Sequence, residues 1–139
     1  MPIPLTLARK RDKVKVLIVD DEESILDFLT TLFGKFKDKF ETKTASSGFE
    51  AGVLVASYSP DLVLLDLKMP GIDGFEICKR IKANPETRKT KIIAMTGYYH
   101  VSEVDKTLAS GVEKCLKKPF KAKEIMDAVS EAAGIDIKM

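Results

Sequence analysis

Residues 14–21 read Val14-Lys15-Val16-Leu17-Ile18-Val19-Asp20-Asp21, and the abrupt change from a β-branched apolar run to two carboxylates decides how the rest is read. A run this short and this apolar suits a strand covered on both faces, as in a parallel sheet flanked by helices. The pattern recurs downstream. Leu62-Val63-Leu64-Leu65 stops at Asp66, and Ile92-Ile93-Ala94-Met95 stops at Thr96. Phe40 to Ala45 alternates and is more polar, which predicts an edge strand. Val112 to Leu116 is a short fifth candidate.

Between these runs the apolar period lengthens from two to about 3.6. Ile25, Phe28, Leu29, Leu32 and Phe33 form one helical stripe, and Phe49, Gly52, Val53 and Ala56 form a second. Ser47, with Glu50 three residues on, predicts a capping box. Phe75, Ile77, Cys78 and Ile81 pattern a third helix that Asn84-Pro85 ends. Val101, Val104 and Leu108 outline a fourth, closed by Gly111; Ile125, Ala128, Val129 and Ala132 make a fifth, stopped by Gly134. Strands alternating with helices imply right-handed crossovers. The expected fold is α/β: a (βα)5 three-layer sandwich on a five-stranded parallel sheet. One domain is expected over 13–134, with a basic arm at 1–12 and a tail at 135–139.

Composition narrows the function classes. A chain of 139 residues can bury a real core, and 45% hydrophobic residues is ordinary for a globular protein. A net charge of +2 calls for no polyanionic partner. The cluster Arg9, Lys10, Arg11, Lys13 and Lys15 reads as a solvated arm rather than a nucleic-acid contact. Cys78 and Cys115 both sit in apolar patterns and read as reduced thiols, not as a disulfide scaffold. With His100 the only histidine, they are too few for a zinc site. Met-Pro-Ile-Pro-Leu-Thr-Leu places its basic residues after a very short apolar stretch, the wrong order for a secretory signal. No run approaches the ~18 apolar residues of a membrane span. The expected location is the cytoplasm.

In open α/β sheets, ligands bind outside the carboxyl ends of the strands. Those ends carry Asp20 and Asp21, Asp66 and Thr96, and the fifth run leads into Lys117-Lys118-Pro119. Singly, each has a plainer explanation. Aspartates ahead of a helix cap it, Asp66 before Met69-Pro70-Gly71 opens a turn, Thr96-Gly97 ends a strand, and Lys118 is solvated. Jointly they are harder to dismiss. Three carboxylates roughly 5 Å apart repel by a few kcal/mol per pair at an effective dielectric of about 20. Something positive belongs among them. An all-oxygen donor set with no soft ligand nearby selects a hard divalent cation such as magnesium. That ion and Lys118 offset the three negative charges and can stabilise charge on a transferring phosphoryl group. Asp66 is then the nucleophile, forming an acyl phosphate.

Four separated motifs carry a resemblance: Val-Asp-Asp at 19–21, Leu-Asp-Leu-Lys-Met-Pro-Gly-Ile-Asp-Gly at 65–74, Met-Thr-Gly at 95–97 and Lys-Lys-Pro-Phe at 117–120. In order and spacing the chain resembles bacterial two-component response-regulator receiver domains, the CheY-like family, from about Lys13 to Ala133. The resemblance implies a flavodoxin-like sheet in the order 2-1-3-4-5. It implies that Asp66 takes a phosphoryl group from a histidine of a sensor histidine kinase or phosphotransfer protein. Magnesium (or manganese) would be held by Asp21 directly, by Asp20 largely through water, by Asp66, and by the Lys68 main-chain carbonyl. Lys118 would pair with phosphoryl oxygens, Thr96 would reorient toward them beside the small Gly97, and the peptide before Pro119 would be cis. Such a chain is a switch rather than an enzyme, catalysing only its own phosphoryl transfer and dephosphorylation. Its signal would pass through the fourth helix, fifth strand and fifth helix to a downstream protein or an output module, with a homodimer through that surface as one arrangement. No contact with nucleic acid or membrane is expected within this chain.

One position departs from the family. Cys115 stands where a Tyr or Phe usually lies, three residues before the lysine, so Tyr98 or Tyr99 becomes the candidate aromatic. Tyr98, two residues after Thr96, is also expected to screen the acyl phosphate from water. The alternative from another class is a receiver-like interaction module that works without phosphorylation. Cys115 favours it and the full acidic set disfavours it. An aspartate-nucleophile phosphatase would need an acid at 68, where Lys68 stands, and a flavodoxin would need a Ser/Thr-rich loop after the first strand.

Overall fold

The computed structural model describes residues 13–97 and 101–137. The five strands of the main sheet alternate with five helices: β1 (Val14–Val19), α1 (Glu23–Gly34), β2 (Phe40–Ala45), α2 (Gly48–Tyr58), β3 (Leu62–Asp66), α3 (Gly74–Ala83), β4 (Lys91–Thr96), α4 (Val101–Ala109), β5 (Lys114–Lys117) and α5 (Ala122–Ala133); between β3 and α3, Lys68–Met69 pairs antiparallel with Ile72–Asp73 as a small separate hairpin. All ladders of the main sheet are parallel, and the order is β2-β1-β3-β4-β5. This is the expected flavodoxin-like arrangement. Among the described residues no helix is long and apolar enough to cross a membrane.

The period of two along each strand sorts side chains between two cores. Val14, Val16 and Ile18 of β1 join Leu62, Leu64, Ile93 and Met95 against α1 and α5. Leu17 and Val19 join Val63, Leu65 and Ile92 against α2 and α3. Both sets are fully buried, which is why the runs are apolar without a break. Each such side chain contributes about 1.5–3 kcal/mol relative to exposure. Among the described residues β2 pairs only with β1, and as an edge strand it is buried at Phe40 and Ala45 and largely exposed between them.

Helix ends follow the local chemistry. Asp73 accepts from the Phe75 amide at 2.9 Å and caps α3, which stops at Asn84 in extended backbone ahead of Pro85. Gly111 and Gly134 both adopt positive φ after α4 and α5, as glycine after a helix should. Gly74 is compelled by space: a Cβ there would stand 2.6 Å from Leu67 Cα and 2.9 Å from the Asp66 carbonyl oxygen. The chain leaving Asp66 is thereby pressed against the start of α3.

Several expectations need correction. The fifth strand starts at Lys114 rather than Val112. β3 and β4 include Asp66 and Thr96 instead of stopping before them. In α1, Phe28 is 40% exposed, its ring 6.3 Å from that of Phe120, while Leu29, Leu32 and Phe33 carry the burial. In α2 the expected stripe faces outward: Phe49 is 68% and Val53 53% exposed, and Ala51, Val55 and Tyr58 face the sheet. The helix is apolar nearly all round, so its hydrophobic pattern leaves the phase open. Ser47 accepts from the Glu50 amide as expected, but the Glu50 carboxylate reaches the Ser46 amide and not that of Ser47. The segment from Ile135 is no loose tail, since Ile135 and Ile137 pack against the core under α1 and α5.

Candidate functional site

The carboxyl edge of the sheet gathers the polar residues that interrupt the apolar runs. Asp20 follows β1 directly and is fully buried; the Glu22 amide donates to its Oδ1 at 2.9 Å. That contact fixes the carboxylate before α1 begins. Asp21 is exposed at the rim. Asp66, the last residue of β3, is 3% exposed and accepts from the Lys68 amide at 3.1 Å through Oδ1. One oxygen from each of Asp20, Asp21 and Asp66 lies within 4.8 Å of the others. Thr96 ends β4 next to this group, 2% exposed.

Lys118 is brought in from β5. Its amide donates to the Thr96 carbonyl at 2.7 Å, and the Lys118–Pro119 peptide is cis, as expected. The Lys118 side chain is only 12% exposed, and Nζ stands 2.6 Å from Asp20 Oδ2, 3.4 Å from Glu22 Oε1 and 3.5 Å from Asp66 Oδ2. The short contact is therefore to Asp20 and not to Asp66.

Charge and burial act on each other here. Burial pushes the Asp66 carboxyl up to about 6; the Asp20 carboxylate adds to the rise, and the Lys68 amide and Lys118 oppose it. Burial alone would lower the Lys118 pKa, but its hydrogen bond to Asp20 and the charges of Asp66, Asp20 and Glu22 raise it. One ammonium stands near three carboxylates, and Asp21 adds a fourth to the cluster, so the site remains short of positive charge. Three oxygen donors within reach of one another and no soft ligand beside them suit a hard divalent cation. The donor set fits such an ion.

The structure thus brings together Asp20, Asp21, Asp66, Thr96 and Lys118. Lys68 contributes its amide to Asp66. Cys115 is buried in β5 opposite Ala94. Tyr98, Tyr99 and His100 lie outside the described residues, as does the basic arm at 1–12. Glu22 joins the group without a motif of its own. The acidic run Asp20-Asp21-Glu22 was its only trace in the sequence.

A doubly wound parallel sheet whose carboxyl edge holds two buried aspartates, an exposed third and a lysine defines a flavodoxin-like protein. The family follows from comparison with known proteins: residues 16–130 match the response regulator receiver domain, and the chain belongs to that family. It is 39% identical over 117 residues to sporulation initiation phosphotransferase F of Bacillus subtilis (strain 168), covering 84% of this chain and 91% of that protein. Over 115 residues it is 35% identical to the phosphate regulon transcriptional regulatory protein PhoB of Rhizobium meliloti (strain 1021); this covers 83% of the chain but only half of that longer relative. A crystal structure of the signal receiver domain of a DNA binding response regulator from Colwellia psychrerythraea 34H is similar with a TM-score of 0.77 and 37% identity, covering 84% of this chain and 98% of that one. Receiver domains are the phospho-accepting switches of two-component systems, and they work with histidine kinases or phosphotransferases.

Proposed function

We propose that this chain is a magnesium-dependent switch whose phosphoryl acceptor is Asp66, loaded from the phosphohistidine of a histidine kinase or phosphotransfer protein. The supporting observation is the placement of a buried aspartate within 4.8 Å of two further carboxylates and beside the Lys118 ammonium. An Asp66 oxygen attacks phosphorus, the P–N bond to the donor imidazole breaks, and the departing nitrogen keeps its electron pair and takes up a proton. The product is an acyl phosphate on Asp66. Water later attacks phosphorus and returns the carboxylate and inorganic phosphate. Asp20, Asp21, Asp66 and the Lys68 carbonyl would hold the Mg2+ (or Mn2+). When bound, that ion supplies positive charge against the phosphoryl oxygens, which Lys118 alone cannot balance. Thr96 offers a hydroxyl to those oxygens, and Lys118 an ammonium.

The signal leaves through the surface of α4, β5 and α5, toward a downstream protein, an output module or a second copy. Thr96 lies opposite Lys117 of β5 and Lys118 follows that strand directly, so the two couple the site to that surface. With Cys115 in place of an aromatic, the coupling runs through backbone and Thr96 rather than through a swinging ring. The chain acts in the cytoplasm and performs no chemistry beyond its own phosphorylation and dephosphorylation. Residues 13–134 form the working unit. Labelling by radioactive acetyl phosphate in magnesium tests the acceptor: wild type should be labelled, and Asp66→Asn and Asp66→Ala should not. Label retained in either variant removes Asp66 from this role.

A further inference from the structure

The Lys118 ammonium offers three N–H donors, and three carboxylates stand around it: Asp20 at 2.6 Å, Glu22 at 3.4 Å and Asp66 at 3.5 Å. Asp20 and Asp66 belong to the cluster whose oxygens could share one ion; Glu22 does not. Its side chain is 59% exposed, at the N-cap of α1, where it caps nothing. Its backbone has a separate duty, since the Glu22 amide donates to Asp20 Oδ1. That duty survives a change of side chain. What the carboxylate itself touches is Lys118.

The distances describe a competition. Asp20 has the closest hold on the ammonium, and Glu22 and Asp66 stand at nearly equal range from it. A phosphoryl group arriving on Asp66 needs the same ammonium and must draw it away from both other partners. We propose that Glu22 is a positioning residue whose carboxylate keeps Lys118 parked beside Asp20, and so sets how readily the lysine is released to the phosphoryl group. The inference rests on Asp66 as acceptor and Lys118 as its cationic partner. Because the contact is exposed, its leverage is modest, about two- to five-fold in rate.

Two rival effects must be separated from positioning. A carboxylate at the mouth could repel any anionic donor, and a variant could alter metal binding. Glu22→Asp keeps the charge but is one methylene shorter, which withdraws the carboxylate from Lys118. Glu23→Gln removes an equal charge one residue further on, from a side chain outside the Lys118 ion pairs. The experiment measures initial labelling by acetyl phosphate at saturating magnesium, the magnesium concentration for half-maximal labelling, and the melting temperature.

Glu22→Gln and Glu22→Asp should both accelerate labelling by about two- to five-fold, leaving the half-maximal magnesium concentration and melting temperature near those of wild type. Glu23→Gln should label at the wild-type rate. The inference is overturned if Glu22→Gln labels no faster than wild type. It is also overturned if Glu22→Asp matches wild type while Glu22→Gln and Glu23→Gln accelerate alike, because charge at the mouth then explains everything. Absence of label in wild type would bring down the acceptor assignment and this inference together; normal labelling of wild type with an unchanged Glu22→Gln rate brings down this inference alone.

Discussion

β3 carries a buried aspartate at each end, and the two have different neighbours. Asp61 precedes the strand and, like Asp66 at its close, is 3% exposed. The backbone uses Asp61: its Oδ2 accepts from the Lys15 amide at 2.9 Å, its amide donates to the Lys15 carbonyl, and its carbonyl accepts from the Lys91 amide. It ties β1, β3 and β4 together at the edge remote from the site. Asp66 accepts one amide, and its other neighbours are carboxylates and an ammonium. Burial therefore does not mark a functional carboxylate. A chain that buries a carboxylate beside two others forgoes stability, and it does so where an outside cation can offset the charge.

The largest contrast should appear in labelling. Asp66→Asn is expected to lower acetyl phosphate labelling by more than about a hundredfold, since an amide cannot act as the nucleophile. Asp61→Asn should label like wild type per folded molecule, and Asp61→Ala should cost about 1–3 kcal/mol in urea unfolding. A labelling defect in Asp61→Asn would break the comparison.

Stability against pH sharpens it further. The Asp66 carboxyl lies at about 6 in the folded chain, above the 3.8 of an unperturbed aspartate, chiefly through burial. The folded state then holds this proton more tightly than the unfolded chain does. The associated stability is fully present below about pH 3.8 and is lost as pH rises through about 6. Without added metal, Asp66→Asn should therefore exceed wild type by about 2–3 kcal/mol at pH 7.5, with the gap closing toward pH 4. A gap of the same size at both pH values would show that the carboxylate is not strained by its surroundings. Magnesium should reverse part of this cost. At a tenfold excess over its Kd it should stabilise wild type by about 1.4 kcal/mol, Asp61→Asn equally, and Asp66→Asn distinctly less. Chemical unfolding with magnesium or with EDTA measures all three.

Much of this was legible because strand ends in an α/β sheet coincide with breaks in apolar runs. Val19-Asp20, Leu65-Asp66 and Met95-Thr96 announced both the sheet and the edge that holds the site. The sheet order followed from resemblance rather than from periodicity. The phase of α5 is legible because Lys123, Glu124, Asp127 and Glu131 mark its outer face, whereas α2 offers few such marks and its apolar pattern points to the wrong face. Asp61 carries no mark in the sequence, because a lone aspartate before a strand looks like any turn residue. Glu22 stayed hidden because its partner is 96 residues away and its contact depends on side-chain reach. The Lys118 preference for Asp20 over Asp66 is a matter of 2.6 Å against 3.5 Å, which no spacing encodes.

The smallest expected effect lies again at the remote edge. Thr90 is buried beside Asp61, and its hydroxyl donates to the Pro60 carbonyl at 3.2 Å. Valine there keeps the shape and removes the donor, so Thr90→Val should cost about 1 kcal/mol in urea unfolding. Labelling should not change, because β3 and β4 stay paired from Leu62 opposite Lys91 up to Asp66 opposite Met95, and that ladder isolates the site from a lost side-chain bond at its far end. If Thr90→Val labels more slowly at the same folded fraction, strain passes along the ladder to Asp66, and the two ends of β3 are one mechanical element rather than a staple and a site.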